Sequence, residues 1–514
     1  MNALLEAPAP RRVAVVVGGG ISGLAAAYQL THHAPPGRPA PEVLLVEASA
    51  RLGGTIRTHA RDGFLLEGGP DAFISEKPEA LELARQLGLE ARLIETNAEH
   101  RRSFIVRGGR LRPVPEGFQL LAPSRFLPFL TTDIFTWGGK ARMALDLFRP
   151  RRARAGGDDD DESLADFVRR RFGREALERM AQPMVGGIYT ADPEQLSLRA
   201  TMPRFLDMER DHRSIILAMW RARRRAVSNT RGTSGARYSL FLSFDGGMQT
   251  LSDALAAALP PGTARTGTTI EAINFDRETR RWQLRTAANG NATADATGRA
   301  TDEATGRAMS NGETGGGEII AADDLCLAGP AHASARLVAG VDAELAFELG
   351  AIPYASTATV NLAFRRADIP HALDGFGFVV PFVEHRRTLA CTFSSVKFAG
   401  RAPAGHALMR AFVGGALQPE MYALEEDRMI DDVRADLRAL LGIEAAPLFT
   451  HVEKWPRSMA QYHLGHLARV ARIRRRLSDF PTLQLAGNAY GGAGVPDCIR
   501  SGRTAAKEMM NAER

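Results

Sequence analysis

The stretch VAVVVGGGISGLAAAYQL at residues 13–30 decides how the chain folds. Its first five residues are all apolar, which is typical of a strand buried on both faces of a parallel sheet. The glycines of GGGISG follow at once, and the alanine-rich run after them has the composition of a buried helix. A strand, a Gly-x-Gly-x-x-Gly turn and a helix in this order predict a Rossmann-type, dinucleotide-binding unit.

Each glycine of the turn has its own part in that prediction. Gly18 makes the tight turn, Gly20 lets a pyrophosphate approach the backbone, and Gly23 allows the helix to pack closely on the strand. The helix N-terminus then offers unpaired N–H groups to the anion. The next strand, EVLLVE, ends in Glu47, whose carboxylate can accept the ribose hydroxyls. The pattern predicts six cofactor contacts: Gly18, Gly20, Ile21, Ser22, Gly23 and Glu47.

Further glycines indicate which dinucleotide binds. RLGG at 51–54 follows the ribose-binding position, and EGGP at 67–70 supplies another compact turn. Glycines at these places let the chain lie against a flat, extended ligand. A nicotinamide cofactor must come and go, whereas a cofactor held by so many segments is more plausibly resident. The sequence therefore favours non-covalent FAD over NAD.

Composition places the chain among ordinary globular proteins. Its 514 residues are 45% hydrophobic and 24% charged, enough for two or three domains. Basic residues exceed acidic residues by 65 − 59 = +6. Such an excess suits anionic ligands or an anionic membrane surface, but it is also common in proteins that use neither. No basic stripe interleaved with aromatic residues occurs, so nucleic-acid binding is not expected.

Cysteine usage and hydropathy indicate the compartment. Cys326, Cys391 and Cys498 are far apart and lack metal-ligand spacing, which favours a reducing environment. The first twelve residues lack the apolar core of a signal peptide. No run of about 18 apolar residues occurs, so no spanning helix is expected. These features predict a cytoplasmic protein and leave peripheral contact with the inner face of the membrane open.

The order of patterns along the chain predicts its organisation. Residues 78–240 have a mainly helical pattern, including an amphipathic region from Phe126 to Phe148 whose apolar face is expected in the core, with membrane contact as the alternative. Strand-like sequence follows at 266–273, 280–286 and 356–415, and a helical stretch at 424–441. Residues 287–318 are biased towards Ala, Thr, Gly and Asn, which predicts a disordered insertion.

The expected division is a cofactor domain from 1–90, 241–345 and 475–514, a helical subdomain at 91–240, and a substrate-binding sheet with helices at 346–474.

Several stretches carry a resemblance to known families. GGGISGL at 18–24, VEAS at 46–49, RLGG at 51–54 and the C-terminal strand, turn and helix resemble the flavin amine oxidase superfamily. Four further stretches are similar to the protoporphyrinogen/coproporphyrinogen oxidases of haem synthesis: GGIYTADPEQLSLRATMP (186–203), FDGGMQTL (244–251), GRAPAGHALMRAFVGG (400–415) and WPRSMAQYHLGH (455–466). The resemblance covers nearly the whole chain apart from 287–318 and parts of 141–162 and 222–237.

The resemblance implies both a fold and a reaction. The fold would be α/β, with a Rossmann-type, amine-oxidase-like FAD domain, a mixed-sheet substrate domain and a helical subdomain. The reaction would oxidise a porphyrinogen to a porphyrin in successive two-electron steps, with hydride transfer to FAD and release of H2O2 from O2. Because the flavin supplies the chemistry, no catalytic side chain and no metal are expected. A homodimer and hand-off to the next haem-pathway enzyme are left open.

The resemblance also implies site residues. Arg102 would bind a substrate carboxylate, and Gly187, Val379 and Phe398 would line the macrocycle pocket. Val379 departs from the larger aliphatic residue of plant members, which puts that role in doubt. The implied cofactor contacts beyond the turn are Ala48, Arg51, Gly53, Gly54, Thr55, Arg57, Gly69, Pro70, Ile270, Trp455, Gly487, Asn488, Val495, Pro496 and Asp497.

Two alternatives stay open at this point. One is another flavin oxidase, acting on amines or carotenoid precursors. Amine oxidases place an aromatic residue and a Gly-Ala step in the C-terminal motif, where this chain has GVPDCIRSG, so the porphyrinogen branch is favoured. The other is a non-catalytic flavin or tetrapyrrole carrier, which would keep the pocket but produce no peroxide.

Overall fold

The structure is a computed structural model that describes residues 12–33, 39–152, 161–229, 241–288 and 317–512. Residues 289–316, which make up nearly all of the predicted insertion, lie outside the described residues, as do the first eleven. The prediction of a disordered insertion is therefore not addressed by the fold described below.

The opening motif folds as its sequence predicts. Val13–Val17 is a strand and Ile21–His32 is a helix. The strand is the middle one of five parallel strands, and its three central residues are almost completely buried. The strands come from three distant parts of the chain. Their spatial order is Ala264–Arg265, Glu42–Val46, Val13–Val17, Asp324–Leu327 and Leu483–Leu485.

The last helix completes this parallel layer by packing on the first. Val495–Asn511 crosses the helix Ile21–His32 so closely that a Cβ on Gly502 would lie 2.0 Å from the carbonyl oxygen of Ser22. A glycine is required there because no side chain has room. The two ends of the chain are thus held together over the cofactor-binding layer.

A second, mixed sheet of seven strands stands beside the parallel sheet. One of its strand pairs is parallel, Phe104–Arg107 with Gly377–Val379, and the others are antiparallel. The helix Glu426–Leu441 contributes Met429, Val433 and Leu437 to the core of this part of the protein. The spatial order of the strands is Phe449–Ala460, Tyr354–Arg365, His406–Gly414, Ala390–Phe393, Gly377–Val379, Phe104–Arg107 and Arg110–Pro113.

The expectation that residues 78–240 are mainly helical is wrong for residues 93–123. This stretch holds the strands Leu93–Glu95, Phe104–Arg107, Arg110–Pro113, Phe118–Gln119 and Ala122–Pro123. Ile105 and Val106 are fully buried, and the strand that holds them pairs with one about 270 positions later in the chain, so tertiary pairing decides their conformation. The remainder holds the helices Phe126–Thr131, Trp137–Ala144, Leu164–Arg171, Arg174–Ala176, Gln182–Tyr189, Leu198–Thr201, Pro203–His212 and Ile215–Asn229.

Buried charges tie these helices together. The guanidinium of Arg171 donates to the Asp146 carboxylate, and both side chains are completely buried. Asp146 also accepts from the Ser214 hydroxyl at 2.6 Å and from the Ile216 amide at 3.1 Å. Because every oxygen of this carboxylate has a donor, its burial does not leave an unpaired charge.

Smaller sheets and further helices complete the described part of the fold. They are the hairpin Thr58–Arg61 and Phe64–Glu67, the strands Phe73–Ile74 and Phe241–Phe244, and the three-stranded sheet Ile270–Asp276, Arg281–Thr286 and Ile319–Ala322. The further helices are Glu79–Gln86, Gln249–Ala258, Ala331–Val338, Ala343–Gly350, Ser394–Lys397, Pro419–Tyr422 and His466–Leu477. Cys326, Cys391 and Cys498 are buried and unpaired. Among the described residues, no helix has the length and apolar character needed to cross a bilayer.

The contact at Gly502 generates a prediction. Gly502→Ala should lower the free energy of unfolding by about 1–3 kcal/mol, because overpacking at a tight helix crossing forces the backbones apart. Gly350→Ala is the matched control, since its Cβ would meet Ala335 at an ordinary 3.7 Å and alanine favours the helix. Denaturant or thermal unfolding of the holoprotein measures both. Equal stability of the two variants would contradict the described crossing.

Candidate active site

Two glycine loops lie in direct contact at the ends of the first two strands. The amide of Gly53 donates to the carbonyl of Gly19 at 2.8 Å. A Cβ on Gly54 would lie 3.0 Å from the Cα of Gly20, and the φ of +58° at Gly54 favours glycine. Arg51 holds the second loop in shape by donating to the carbonyls of Gly54 at 2.8 Å and Ile56 at 2.6 Å. Together the loops leave a path with no side chains, along which a flat nucleotide can lie against backbone.

The first helix begins at the end of this path. Gly18 has a φ of +111°, and a Cβ on Gly23 would lie 1.8 Å from the Gly18 carbonyl oxygen, so both positions require glycine. The N-cap is Gly20, and the first turn carries no acidic residue. The free N–H groups and the helix dipole therefore attract an anion such as a pyrophosphate.

Glu47 is fixed beside the same turn. Its carboxylate accepts hydrogen bonds from the Gly19 amide at 2.6 Å and from the amide and hydroxyl of Ser49 at 2.8 and 2.7 Å. Oε1 accepts both bonds from Ser49, whereas Oε2 accepts only the one from Gly19 and can take a further donor such as a ribose hydroxyl. The carbonyl of Glu47 accepts from the Thr268 amide at 2.9 Å, and this brings the start of the strand Ile270–Asp276 close to the site.

A cavity of about 2240 Å³ runs from these loops to the helical part of the protein. Small-molecule pockets usually measure about 300–1,000 Å³, so there is room for a dinucleotide together with a large substrate. Its lining includes seven predicted cofactor contacts and three predicted substrate contacts: Ile21, Thr55, Gly69, Pro70, Trp455, Asn488 and Val495, and Arg102, Gly187 and Val379. The structure therefore brings three of the four predicted substrate contacts and a third of the predicted cofactor contacts to one space.

The turn at residues 68–70 forms one wall of that cavity. The carbonyl of Gly68 accepts from the Trp455 indole N–H at 2.8 Å and from the Thr359 hydroxyl at 3.0 Å. The carbonyl of Gly69 accepts from the guanidinium of Arg410 at 2.7 Å. The hydrogen bond thus holds Trp455 in place as part of the cavity wall. An aromatic ring in that position suits packing against a flat cofactor.

The C-terminal turn forms the wall next to it. The Tyr462 hydroxyl donates to the Asn488 carbonyl at 2.6 Å and accepts from the Gly492 amide at 2.8 Å. The amide group of Asn488 donates to the Ser458 carbonyl at 2.8 Å. Burial raises the pKa of Tyr462 well above its usual range, so this hydroxyl stays protonated and keeps the turn closed.

Asp497, predicted to contact the cofactor, has protein partners. Its buried carboxylate accepts from Lys77 at 2.5 Å and from the guanidinium of Arg500. Asp497 does not line the cavity, whereas its neighbour Val495 does. The structure thus gives Asp497 the role of an ion-pair partner at the start of the last helix, and Pro496 occupies the first turn of the same helix.

Arg57 belongs to a charge cluster that the sequence did not indicate. Its guanidinium donates to Glu453 at 2.9 Å, and the other oxygen of that carboxylate contacts the Nε2 atoms of His59 and His451 at 2.9 and 3.3 Å. Burial raises the pKa of Glu453, but hydrogen bonds from the two histidines and the charge of Arg57 outweigh burial and hold the pKa at about 2. The carboxylate therefore stays ionised and orients Arg57.

The same cluster contains three side chains of metal-ligating type. The ligand atoms of His59, His451 and Glu453 all lie within 4.8 Å of one another, whereas no metal is expected from the sequence. Arg57 already neutralises this carboxylate and would repel a cation. The arrangement is therefore better suited to positioning Arg57 than to binding a metal.

A second group of charges lines the cavity beneath the 68–70 turn. The carboxylate of Asp71 accepts from Lys397 at 2.8 Å and lies 3.4 Å from the guanidinium of Arg410. Burial opposes ionisation, but these two cations outweigh it and hold the pKa of Asp71 far below its usual range. Sequence patterns did not reveal this group, since its members come from segments more than 300 residues apart.

The predicted substrate contacts are only partly brought together. Gly187 and Val379 are neighbours, since a Cβ on Gly187 would lie 3.7 Å from Val379 Cγ1. Arg102 lines the cavity but also donates to the Asp374 carbonyl at 2.5 Å and pairs with its carboxylate. Phe398 does not line the cavity. It is buried with the Arg401 guanidinium 5.5 Å from its ring centre, so the predicted wall position passes to Lys397 next to it.

The fold and the site are those of a flavin-dependent oxidoreductase. The chain belongs to the flavin containing amine oxidoreductase family, whose model matches residues 21–510, and the glycine loops, Glu47 and the cavity fit its FAD cofactor. It is 37% identical to the coproporphyrinogen III oxidase of Propionibacterium freudenreichii subsp. freudenreichii, covering 97% of this chain and 90% of that one. It is 30% identical to the protoporphyrinogen oxidase of Bos taurus, covering 98% and 99%. A solved structure of a proposed protoporphyrinogen oxidase from Exiguobacterium sp. 255-15 superposes with a TM-score of 0.79 at 28% identity, covering 98% and 99%.

The charge cluster at Glu453 generates a prediction. Glu453→Gln should weaken FAD binding about fivefold or more, because Arg57 and two histidines lose a charged acceptor and such a hydrogen bond contributes about 1–3 kcal/mol. Quenching of FAD fluorescence by apoprotein measures the dissociation constant. Glu444→Gln is the control, since Glu444 forms only an exposed pair with Arg438. An unchanged dissociation constant in Glu453→Gln would show that Arg57 needs no such support.

Proposed function

We propose that this protein oxidises a porphyrinogen to the corresponding porphyrin in haem biosynthesis. The observation that carries the proposal is one large cavity whose lining includes Ile21 and Thr55 of the glycine loops, Gly187 and Val379, and the arginines at residues 101 and 102. A flat tetrapyrrole with acidic side chains needs both apolar walls and cations at one end. The two named relatives act on such substrates, as their names state.

The protein's own part is to position the substrate and to exclude water from the cavity. Gly187 leaves room for a ring edge, Val379 packs against the face of the macrocycle, and Arg102 pairs with a carboxylate. The chemistry supplied by bound FAD is two-electron oxidation, with hydride accepted from a substrate carbon and O2 as the final acceptor, giving H2O2. Each two-electron step also releases one proton, which leaves the cavity to bulk solvent, so this scheme assigns no acid or base role to a side chain in the described part of the cavity.

The proposed reaction has a direct test. The purified holoprotein is mixed with coproporphyrinogen III, protoporphyrinogen IX or a polyamine, and porphyrin fluorescence and H2O2 are recorded together. Porphyrin and peroxide formed from a porphyrinogen support the proposal. Peroxide from the polyamine alone would favour an amine oxidase. Tight porphyrin binding with no turnover would favour a carrier.

Gly187 provides a prediction about the macrocycle site. Gly187→Leu should raise KM for the porphyrinogen about fivefold or more, because a leucine side chain would project from the helix Gln182–Tyr189 into the space next to Val379. FAD affinity should not change, since the only neighbour within 4 Å of a Cβ on Gly187 would be Val379 and not a glycine loop, and FAD binding therefore serves as the internal control. Steady-state kinetics measure KM. A variant with normal KM would remove Gly187 from the substrate site.

The same proposal includes peripheral contact with a lipid surface. Leu127, Trp137 and Phe148 are 72%, 73% and 76% exposed, and Lys140 lies 4.4 Å from the ring centre of Trp137. Lys140 itself is buried, so it is the exposed large apolar side chains that suit a membrane interface. Pro128 and Thr131 of the adjoining helix line the cavity, so a lipid surface here would lie close to the cavity. A cytoplasmic location stays a prediction.

Vesicle binding tests this contact. The variant with Leu127, Trp137 and Phe148 all changed to serine should sediment with anionic phospholipid vesicles at least about threefold less than the unchanged protein, because apolar area is lost from the interface. Phe347→Ser is the control, since Phe347 is equally exposed, at 72%, but lies on the helix Ala343–Gly350. Equal sedimentation of all three proteins would count against membrane contact at this surface.

A further inference from the structure

The helix that carries Gly187 is held to the seven-stranded sheet at its C-terminal end. It ends at Thr190, which has a left-handed φ of +49°. The carbonyl of Thr190 accepts from the Ala416 amide at 2.8 Å, and the carbonyl of Tyr189 accepts from the Gln461 side chain at 3.2 Å. Both donors lie just beyond the ends of strands of that sheet, so this end of the helix cannot move independently of it.

The other end of the same helix begins in a wider turn. Leu177–Ala181 is a π-helical segment, in which the Gln182 amide donates to the carbonyl of Leu177, five residues before it. Such segments are rare and occur frequently at functional sites. Arg179 lies within this one. Because the backbone is less regular here than in the rest of the helix, its position depends more on side-chain contacts.

Glu384 supplies such a contact. Its carboxylate accepts from the guanidinium of Arg179 and from the amides of Gly108 and Gly109 at 3.1 and 3.2 Å. The two glycines form the turn between the two strands at one edge of the seven-stranded sheet. Burial opposes ionisation, but these three donors outweigh it and lower the pKa of Glu384. One carboxylate therefore joins the π-helical segment to a hairpin of the sheet.

A second contact lies beside the first. The side-chain oxygen of Gln182, a buried residue, accepts from the Phe382 amide at 2.8 Å. Phe382 and Glu384 belong to one short helical turn, which begins three residues after Val379. A Cβ on Gly187 would meet Val379 Cγ1 at 3.7 Å and no other described atom within 4 Å. The segment that holds the helix thus continues the strand that forms the facing wall of the cavity.

We infer that Glu384 is a positioning residue of the substrate site, which keeps the helix at Gly187 a fixed distance from the strand at Val379 and so sets the width of the slot that admits the macrocycle. The inference rests on the proposed function, in which Gly187 and Val379 contact the substrate. Glu384 itself does not line the cavity, so it acts through the helix. A slot wider by about 0.5–1 Å would lose roughly a quarter to a half of the dispersion contact on one face of a flat ring.

Kinetics and binding of three variants test this role. Glu384→Gln and Arg179→Met should each raise KM for coproporphyrinogen III about fivefold, because the helix is then in its binding-competent position for only part of the time. The value of kcat should change less than about twofold, as expected when binding is lost equally from substrate and transition state. Arg179→Lys, which keeps the charge, should restore most of the affinity. Coproporphyrin III, which binds without turnover, should quench protein fluorescence with the same loss of affinity.

The substitution Gly187→Leu distinguishes positioning from a general loss of stability. In the unchanged protein the leucine has to fit a slot of fixed width, and KM rises. In Glu384→Gln the helix can shift away from Val379, so adding Gly187→Leu should raise KM by less than about twofold, since coupled sites are not additive. Substitutions that act independently multiply their effects instead.

Asp342→Asn is the matched control. Asp342 is also buried, and its carboxylate also accepts from an arginine, Arg476 at 2.6 Å, and from a backbone amide, that of Leu345 at 2.9 Å. Neither Asp342 nor Arg476 lines the cavity. The variant should lose stability without changing KM or the effect of Gly187→Leu. FAD content and thermal unfolding show that each variant is folded.

The outcomes separate the inference from the proposed function. A higher KM and weaker coproporphyrin binding at unchanged kcat, together with the reduced effect of Gly187→Leu, support the positioning role. An unchanged KM in Glu384→Gln, effects that multiply, or equal changes in KM in Glu384→Gln and Asp342→Asn refute it, while the proposed function survives if the unchanged protein oxidises the porphyrinogen. If the unchanged protein neither oxidises a porphyrinogen nor binds a porphyrin, both are refuted.

Discussion

The approach of two glycine backbones, at Gly20 and Gly54, is the constraint on which the other features of the site depend. With a Cβ on Gly54 only 3.0 Å from Gly20 Cα, no other residue fits without moving a loop. Each loop follows a strand of the parallel sheet, so the contact fixes where the nucleotide can lie relative to that sheet. It also sets the direction in which the chain leaves the loop towards the hairpin Thr58–Arg61 and Phe64–Glu67.

Residues 67–71 link that placement to the seven-stranded sheet. Glu67 is buried, and its carboxylate accepts from the Met248 amide and the Thr58 hydroxyl, each at 2.8 Å. Its carbonyl accepts from Asn361 at 3.3 Å, on a strand of the seven-stranded sheet. Burial raises the pKa of Glu67, and the hydrogen bonds from Met248 and Thr58 only partly oppose that rise. One short segment thus connects the parallel sheet to the seven-stranded sheet.

The sequence predicted those parts of the site that depend on residues close together in the chain, and it missed the parts that depend on contacts between distant segments. The turn at residues 18–23 and the acid at Glu47 are decided by neighbours in the chain, and the structure has them where the pattern predicts. The strand Phe104–Arg107 and the cluster around Glu453 depend on partners more than 200 residues away, and neither had a local signal. Phe398 was placed by resemblance alone. Its burial beside Arg401 could be seen only once the sheet was assembled.

Two of the three cysteines lie where an oxidant in the cavity could contact them. Cys391 and Cys498 are on the wall of the cavity, and burial raises the pKa of each thiol to about 12. Peroxide attacks the thiolate form of sulfur, not the protonated thiol. In the proposed reaction, H2O2 would be released into a cavity whose two lining thiols are held in the protonated form, which peroxide attacks slowly.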